Sequence, residues 1–325
     1  MKFRIVYMGT PEFAVEPLRT LLDAGYDVAA VVTVPDKPSG RGCRMNESAV
    51  KKFALERGLP VLQPEKLRNE DFLAQLREIN ADLFVVVAFR MLPSVVWKMP
   101  RLGTFNLHAS LLPQYRGAAP INWAIINGEK ETGVTTFMLD EQIDTGGILL
   151  QERTPIGENE NIGELYDRLM VMGSSLLLRT VEGLAAGTLK PEAQAVDNDM
   201  VLKPAPKITK ETCRIDWKQP AERLRCFVRG LSPYPAAWST LVNEEKSIDV
   251  KLFEVHCDSC PDGMDAVSRY CAEPGTILTD SKTYLKVATS SGMLYIDSLQ
   301  LAGKRRMNIR EFLMGFREAD KYRFI

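Results

Sequence analysis

The sequence predicts a two-domain chain: an α/β half built on a mostly parallel sheet with helices on both faces, then a small β barrel or sandwich. Three observations carry this. Short apolar runs alternate with helical patterns through the first half, a Pro-containing polar stretch begins after residue 187, and beyond it the apolar period falls to two. The expected boundaries are 1–187 for the first domain, 188–207 for a linker and 208–325 for the second domain.

Phe3–Met8, Val28–Val34 and Leu83–Ala88 read as buried strands, being short, rich in Val, Ile and Phe, and closed by turn residues. Helical stretches at Ala14–Ala24, Ala49–Arg57 and Glu70–Ile79 lie between them, and such alternation gives parallel pairing through right-handed crossovers. Gly133–Leu139 and Ile148–Gln151 are further strands. The strongest helix signal is Asn161–Gly183, where Ile162, Leu165, Leu169, Met172 and Leu176 make one stripe and Asn161 with Glu164 forms a capping box. Thr188–Lys207 holds Pro191, Pro204 and Pro206 and reads as linker. Then Ile248, Val250 and Leu252 alternate, as do Leu285, Val287 and Thr289, and Leu294 and Ile296. Helices at Pro220–Gly230 and Ile309–Phe316 flank these strands.

Composition bounds the function only loosely. Hydrophobic residues make up 45% and charged residues 26%, ordinary for a globular protein with a real core. The net charge of −1 points to neither nucleic acid nor membrane, and residues 208–325, with 18 Lys/Arg against 16 Asp/Glu, reach only +2. No apolar run approaches the roughly 18 residues of a membrane helix. MKFRIVYMGTPEF turns polar too quickly for a secretory signal. The expectation is a cytoplasmic protein with no membrane partner, acting as a monomer. The six cysteines are spread widely and read as free thiols.

Chemistry concentrates between Phe105 and Gly147. In a strand, residues two apart share a face, so Asn106 and His108 project together while Phe105 and Leu107 pack behind. Asp144 follows in a Gly-rich turn. At the C-terminal edge of a parallel sheet, where ligands bind, these three suit acyl transfer. An amide can donate to a developing oxyanion, and an imidazole can shuttle the proton of an attacking amine. A carboxylate can fix its tautomer. No Ser or Cys stands out as an activated nucleophile, so direct attack by a substrate amine is expected. A satisfied polar cluster would leave the same N-x-H trace.

The block FNLHASLLPQYRGAAPINW, then ETGVT and D-x-x-x-D-T-G, resembles the folate-dependent formyltransferases, and MGTPEFAV, PDKPSGRG at 35–42 and GKRRMNIREFL extend the resemblance over nearly the whole chain. It implies a Rossmann-like first domain and an OB-like β-barrel second domain. It matches Asn106, His108 and Asp144 to the family's catalytic residues. Ser110, Leu111, Leu112 and Pro113 fall on the stretch lining the folate pocket, and Phe89, Arg90, Met91 and Leu92 where the pterin head is held. The expected donor is 10-formyltetrahydrofolate and the expected acceptor the α-amino group of methionyl initiator tRNA.

The basic loop PDKPSGRGCR lacks the G-K-[ST] ending of a phosphate-cradling loop. On its own it would pass for a solvated loop. The resemblance implies that it meets the tRNA acceptor end, with Arg41 first and Lys37 and Arg44 as helpers. In the second domain Arg223, Arg225, Arg229 and the Lys304-Arg305-Arg306 run are candidate phosphate contacts. His256-Cys257-x-x-Cys260 with Cys271 lacks the second tight ligand pair of structural zinc, so no metal is expected and oxidation-sensitive thiols are the reading. Competing functions are formylation of a sugar-nucleotide amine, hydrolysis or oxidation of formylfolate, and non-catalytic RNA binding.

Overall fold

The structure, a computed structural model, describes residues 3–39, 44–196, 199–257 and 272–325. They form two compact units: Met1–Pro120, Thr132–Thr154 and Tyr166–Pro204 in one, and Ile121–Glu131, Pro155–Leu165 and Ala205–Ile325 in the other.

The first unit is organised on a seven-stranded sheet. Its strands are β1 (Arg4–Gly9), β2 (Asp27–Val32), β5 (Val61–Leu62), β6 (Leu83–Val87), β7 (Thr104–His108), β8 (Glu131–Met138) and β9 (Ile148–Pro155), in the order β5-β2-β1-β6-β7-β8-β9. Pairings from β5 to β7 are parallel, and β8 runs antiparallel to β7. The strand order reverses direction beside β1, the crevice where such sheets place ligands. Alternation is strict in the core. Val6 and Met8 join Phe84 and Val86 on one face, packed against Phe72, Leu73 and Leu76 of the helix α3 (Glu70–Ile79). Tyr7 points the other way and is fully buried, its hydroxyl donating to the Ala14 carbonyl at 2.6 Å.

Helices α1 (Val15–Asp23), α2 (Ala49–Glu56) and the single turn α4 (Ser94–Trp97) complete the crossovers. Ser48 caps α2 by accepting from the Lys51 amide at 3.0 Å, and Asn69 caps α3 by accepting from Phe72 at 3.1 Å. The basic loop is not plain coil. It is a hairpin of β3 (Lys37–Ser39) and β4 (Arg44–Asn46), in register Lys37 with Asn46 and Pro38 with Met45. Its base is held by Asp36, which accepts from Lys51 and, at 2.8 Å, from Gln63, and these bonds, the Lys51 one first, keep its carboxyl below the usual range.

Two helices straddle the division into units. α5 (Pro120–Ile126) passes into the second after its first residue, and α6 (Ile162–Ala185) leaves it after Leu165. Asn161 and Glu164 form the expected capping box, with amide-to-side-chain bonds of 3.1 and 2.9 Å. Further along, Gly173 leaves room for Leu107 of β7, whose Cδ2 would stand 3.0 Å from an added Cβ.

The second unit is a barrel of β10 (Ala237–Val242), β11 (Ser247–Cys257), β12 (Ile277–Thr279), β13 (Leu285–Ala288), β14 (Met293–Leu301) and β16 (Arg323–Phe324), ordered β12-β13-β14-β11-β10-β16. β15 (Met307–Asn308) pairs with β14. A bridge between Thr276 and Arg323 joins the two ends, so the expected barrel closes. Leu224 and Val228 of α7 (Ala221–Arg229) and Phe312 of α8 (Ile309–Gly315) fill its core with Leu252, Val287, Leu294 and Leu299. Among the described residues no helix is long and apolar enough to cross a membrane.

Candidate active site

Three loops of the first unit supply the site: residues 88–92 after β6, residues 109–117 after β7, and residues 139–147 between β8 and β9. Asn106 and His108 lie on one face of β7, as their spacing predicts, opposite Phe137 and Thr135 of β8. Among the described residues the Asn106 amide makes no side-chain hydrogen bond, so its N–H groups stay available to a ligand.

His108 is buried, with Phe137 edge-on at 6.4 Å between ring centroids. Its Nε2 lies 2.9 Å from the Tyr115 carbonyl oxygen. A carbonyl only accepts, so Nε2 carries the proton and Nδ1 is the basic nitrogen of the neutral ring. Nδ1 faces Asp144 Oδ2 at 3.9 Å, too far for a direct hydrogen bond. A main-chain carbonyl therefore fixes the tautomer, where the sequence suggested the carboxylate.

Asp144 is held from several sides. Its Oδ2 accepts from the Gly117 amide at 2.9 Å, and its backbone is left-handed, with φ of 56°. Asp140 organises the same loop by accepting from the Gln142 amide at 3.0 Å and the Thr145 hydroxyl at 2.7 Å. An added Cβ on Gly146 would lie 1.7 Å from the Met138 carbonyl oxygen, so only glycine fits. The stretch read as linker is bound to this loop. Ile148 and Glu192 exchange backbone bonds of 2.7 and 2.8 Å, and Gln194 donates to the Asp144 and Gly146 carbonyls. Neither Gln194 nor the Tyr115 carbonyl was singled out in the sequence.

The Ser110–Pro113 loop is fixed from beneath. The Ser110 hydroxyl donates to the Gln114 carbonyl at 2.7 Å. Thr135 donates to the Ser110 carbonyl at 2.6 Å and accepts from Gln151 at 2.9 Å. Leu112 is buried and precedes a cis Pro113, while Leu111 and Pro113 are half-buried. In the 88–92 loop Phe89 is half-buried, Leu92 is buried and Met91 is 67% exposed. Arg90 turns to the segment after β5: the guanidinium donates to the Glu65 carbonyl at 2.9 Å and to that of Pro64. The side chain thus acts as a strut.

Lys37 is exposed on β3, whereas Arg41 and the Arg44 side chain lie outside the described residues. In the second unit Arg229 is buried and donates to the Gly157 and Glu160 carbonyls at 2.9 and 3.0 Å, and Arg225 is paired with Glu222. Arg305 pairs with Glu311 and Arg306 with Glu254. Of the six suggested phosphate contacts there, Arg223 and Lys304 are exposed and without an ion pair among the described residues. No group of three or more His, Cys, Asp or Glu among those residues could hold a metal, and Cys260 and Cys271 lie outside them.

Comparison with known proteins brings out the same pattern. A formyl transferase family model matches residues 1–181, and a formyl transferase C-terminal domain model matches 207–317. The methionyl-tRNA formyltransferase of Bacteroides thetaiotaomicron is 54% identical over 325 residues, 98% of each chain. That of Flavobacterium johnsoniae is 48% identical over 320 residues, again 98% of each. Among solved structures, a sugar 3N-formyl transferase with dTDP and 5-N-formyl-THF aligns with a TM-score of 0.63 at 19% identity, over 94% of this chain and 100% of that one. HypX from Aquifex aeolicus in complex with tetrahydrofolic acid aligns at 0.61 and 19%, over 96% of this chain and 47% of that one. At such identities these structures speak for the fold alone.

Proposed function

The chain belongs to the formyl transferase family, and we propose on that premise that Asn106, His108 and Asp144 carry its reaction. The chain transfers the formyl group of 10-formyltetrahydrofolate to the α-amino group of methionyl initiator tRNA, giving N-formylmethionyl-tRNA for translation initiation. The single observation that supports the catalytic assignment is the pairing on one strand face of an amide with no side-chain partner among the described residues and a histidine whose basic nitrogen is defined.

The donor supplies a formyl carbon bonded to a folate nitrogen. Attack by the amine pushes charge onto the formyl oxygen, where the Asn106 amide can donate to it. His108 Nδ1 takes the amine proton as the new C–N bond forms and returns it to the folate nitrogen as the old one breaks. Asp144 favours the transient imidazolium. The loops 89–92 and 110–113, partly buried apart from Met91, are suited to the donor's ring, with Arg90 tying its loop to residues 64–65 and backbone groups offering the contacts. Arg41, Lys37 and Arg44 are assigned to tRNA phosphates. We further propose a cytoplasmic monomer with a catalytic domain over 1–187, a linker over 188–207 and a tRNA-binding domain over 208–325.

Formylation of charged initiator and elongator tRNAs, with and without the donor, tests the reading. Activity should require the donor and prefer the initiator, and His108→Ala should lower kcat on the order of 100- to 10,000-fold. Near-normal turnover by that variant would sink the assignment.

A further inference from the structure

We propose that Gln194 is a positioning residue for the catalytic carboxylate. On this reading the segment after α6 is a working part of the active site as well as a connection to the second domain. The inference rests on the roles given above to Asn106, His108 and Asp144.

The Gln194 carboxamide is half-buried, and both its donors and its oxygen are engaged by two site loops. Nε2 donates to the Asp144 carbonyl at 2.8 Å and to the Gly146 carbonyl at 2.9 Å. Oε1 accepts from Arg116 Nη2 at 2.6 Å. One planar group thus joins the loop bearing the carboxylate to the turn after His108, whose neighbouring residues hold both partners. The Tyr115 carbonyl sets the His108 tautomer and the Gly117 amide binds the Asp144 carboxylate. Arg116, between them, is the residue that Gln194 holds.

The backbone of the carboxylate's loop gives a physical reason for a bridge here. Asp144 is in the left-handed region, φ 56°, which aspartate visits only with local support. Its carbonyl and that of Gly146 are met by the Gln194 amide. The Ile148–Glu192 bonds fix the register of the segment so that residue 194 arrives opposite those carbonyls. Gly147 lets Pro191 approach, its added Cβ falling 2.8 Å from Pro191 Cβ. Further along, Lys203 accepts from the Tyr115 amide at 2.8 Å, a second hold on the same turn.

The carboxylate acts across 3.9 Å, without a hydrogen bond to lock it to the imidazole. Its placement must then come from elsewhere, and a shift of about 1 Å in a catalytic group costs on the order of 100-fold in rate. Gln194 touches neither His108 nor the substrate by this assignment, so its removal should lower kcat and leave KM for donor and tRNA nearly unchanged.

The experiment is a double-mutant cycle on the full chain, reading kcat and KM separately. Gln194→Met keeps the shape and removes every hydrogen bond; Gln194→Glu keeps the acceptor for Arg116 and removes both donors. Each should lose on the order of 10- to 100-fold in kcat with KM held within about 2-fold. In an Asp144→Asn background the same changes should cost less than about 2-fold more, because there is no carboxylate left to place. A merely structural residue would instead give losses that multiply, and that result overturns the proposal. So does wild-type kcat in Gln194→Glu, which keeps the proposal testable if Gln194→Met fails to fold. If Asp144→Asn itself turns over normally, the catalytic reading falls and the inference with it. If Asp144→Asn is crippled while both Gln194 variants are not, only the inference falls.

Discussion

A histidine between a carbonyl and a carboxylate has its two nitrogens assigned by elementary bonding rules. Because Nε2 must donate to Tyr115, Nδ1, beside Asp144, is the nitrogen that takes the amine proton in the proposed mechanism. Asn106 has the complementary task, and removing an oxyanion donor costs about 100- to 1,000-fold in kcat. Asn106→Ala should therefore show that loss, while donor affinity measured by titration calorimetry changes little; an equal fall in affinity would recast Asn106 as a binding residue. Cys257 gives a second residue-scale prediction and departs from the sequence-based reading of reactive thiols. Burial first, and then Glu222 beside it, push its thiol up to about 12. A raised value means that the neutral thiol is preferred in the fold. Its contribution to stability is complete below the unfolded value near 9.0 and is lost as pH rises from there towards about 12. Since only the thiolate reacts, Cys257 should resist alkylation by iodoacetamide at pH 8 in the native protein and react once unfolded, as mass spectrometry would show. Asn106 and His108 were legible because a strand's period of two puts them on one face. The Tyr115 carbonyl was not, since a backbone acceptor leaves no mark in residue type. Gln194 lies 50 positions from the Asp144 it holds.

At the level of elements, closed geometry replaces side-chain identity as the constraint. The barrel closes where Phe324 donates to the Gly275 carbonyl at 2.9 Å, beside the Thr276–Arg323 bridge. Gly275 has φ of 92°, and an added Cβ would lie 2.2 Å from the Phe324 carbonyl oxygen. Gly303 also has positive φ, 73°, yet a Cβ there meets nothing within 4 Å. Gly275→Ala and Gly303→Ala therefore share the conformational cost of about 1 kcal/mol, and only the first adds a backbone clash at the seam. Gly275→Ala should lower the denaturant midpoint clearly more than Gly303→Ala. Equal effects would mean that the seam yields freely. The sequence revealed strands wherever alternation or a buried run was long, which covers β1, β2, β6, β8 and, in the barrel, β11, β13 and β14. It missed the β3–β4 hairpin because neither strand has a core to face and so neither carries an apolar period. It also missed that β8 reverses against β7, since strand direction is set by the connection and not by composition.

Across the whole molecule the question is how a chain of net charge −1 handles a polyanion. The bulk field cannot do it, and the barrel domain is less available than its basic residues suggest. Arg225, Arg229, Arg305 and Arg306 are committed to internal pairs or carbonyls, which leaves Arg223 and Lys304 exposed without an ion pair among the described residues. Affinity for tRNA should then lean on Lys37 and Arg44 of the β3–β4 hairpin and on Arg41, which lies outside the described residues. The base of that hairpin is anchored by Asp36 with Lys51 and Gln63, so losing a side chain between its strands should not disturb the sheet beneath. Each phosphate neutralised contributes about 0.7–0.9 to the slope of log affinity against log salt. Arg41→Ala should reduce that slope by about 1 and weaken tRNA binding at low ionic strength. Formylation of a minimal methionyl amine, which offers no phosphates, should proceed at the parent rate. An equal loss on both substrates would place Arg41 in the chemistry. An unchanged slope with tRNA would move the phosphate contacts elsewhere, with Arg223 and Lys304 the next positions to substitute.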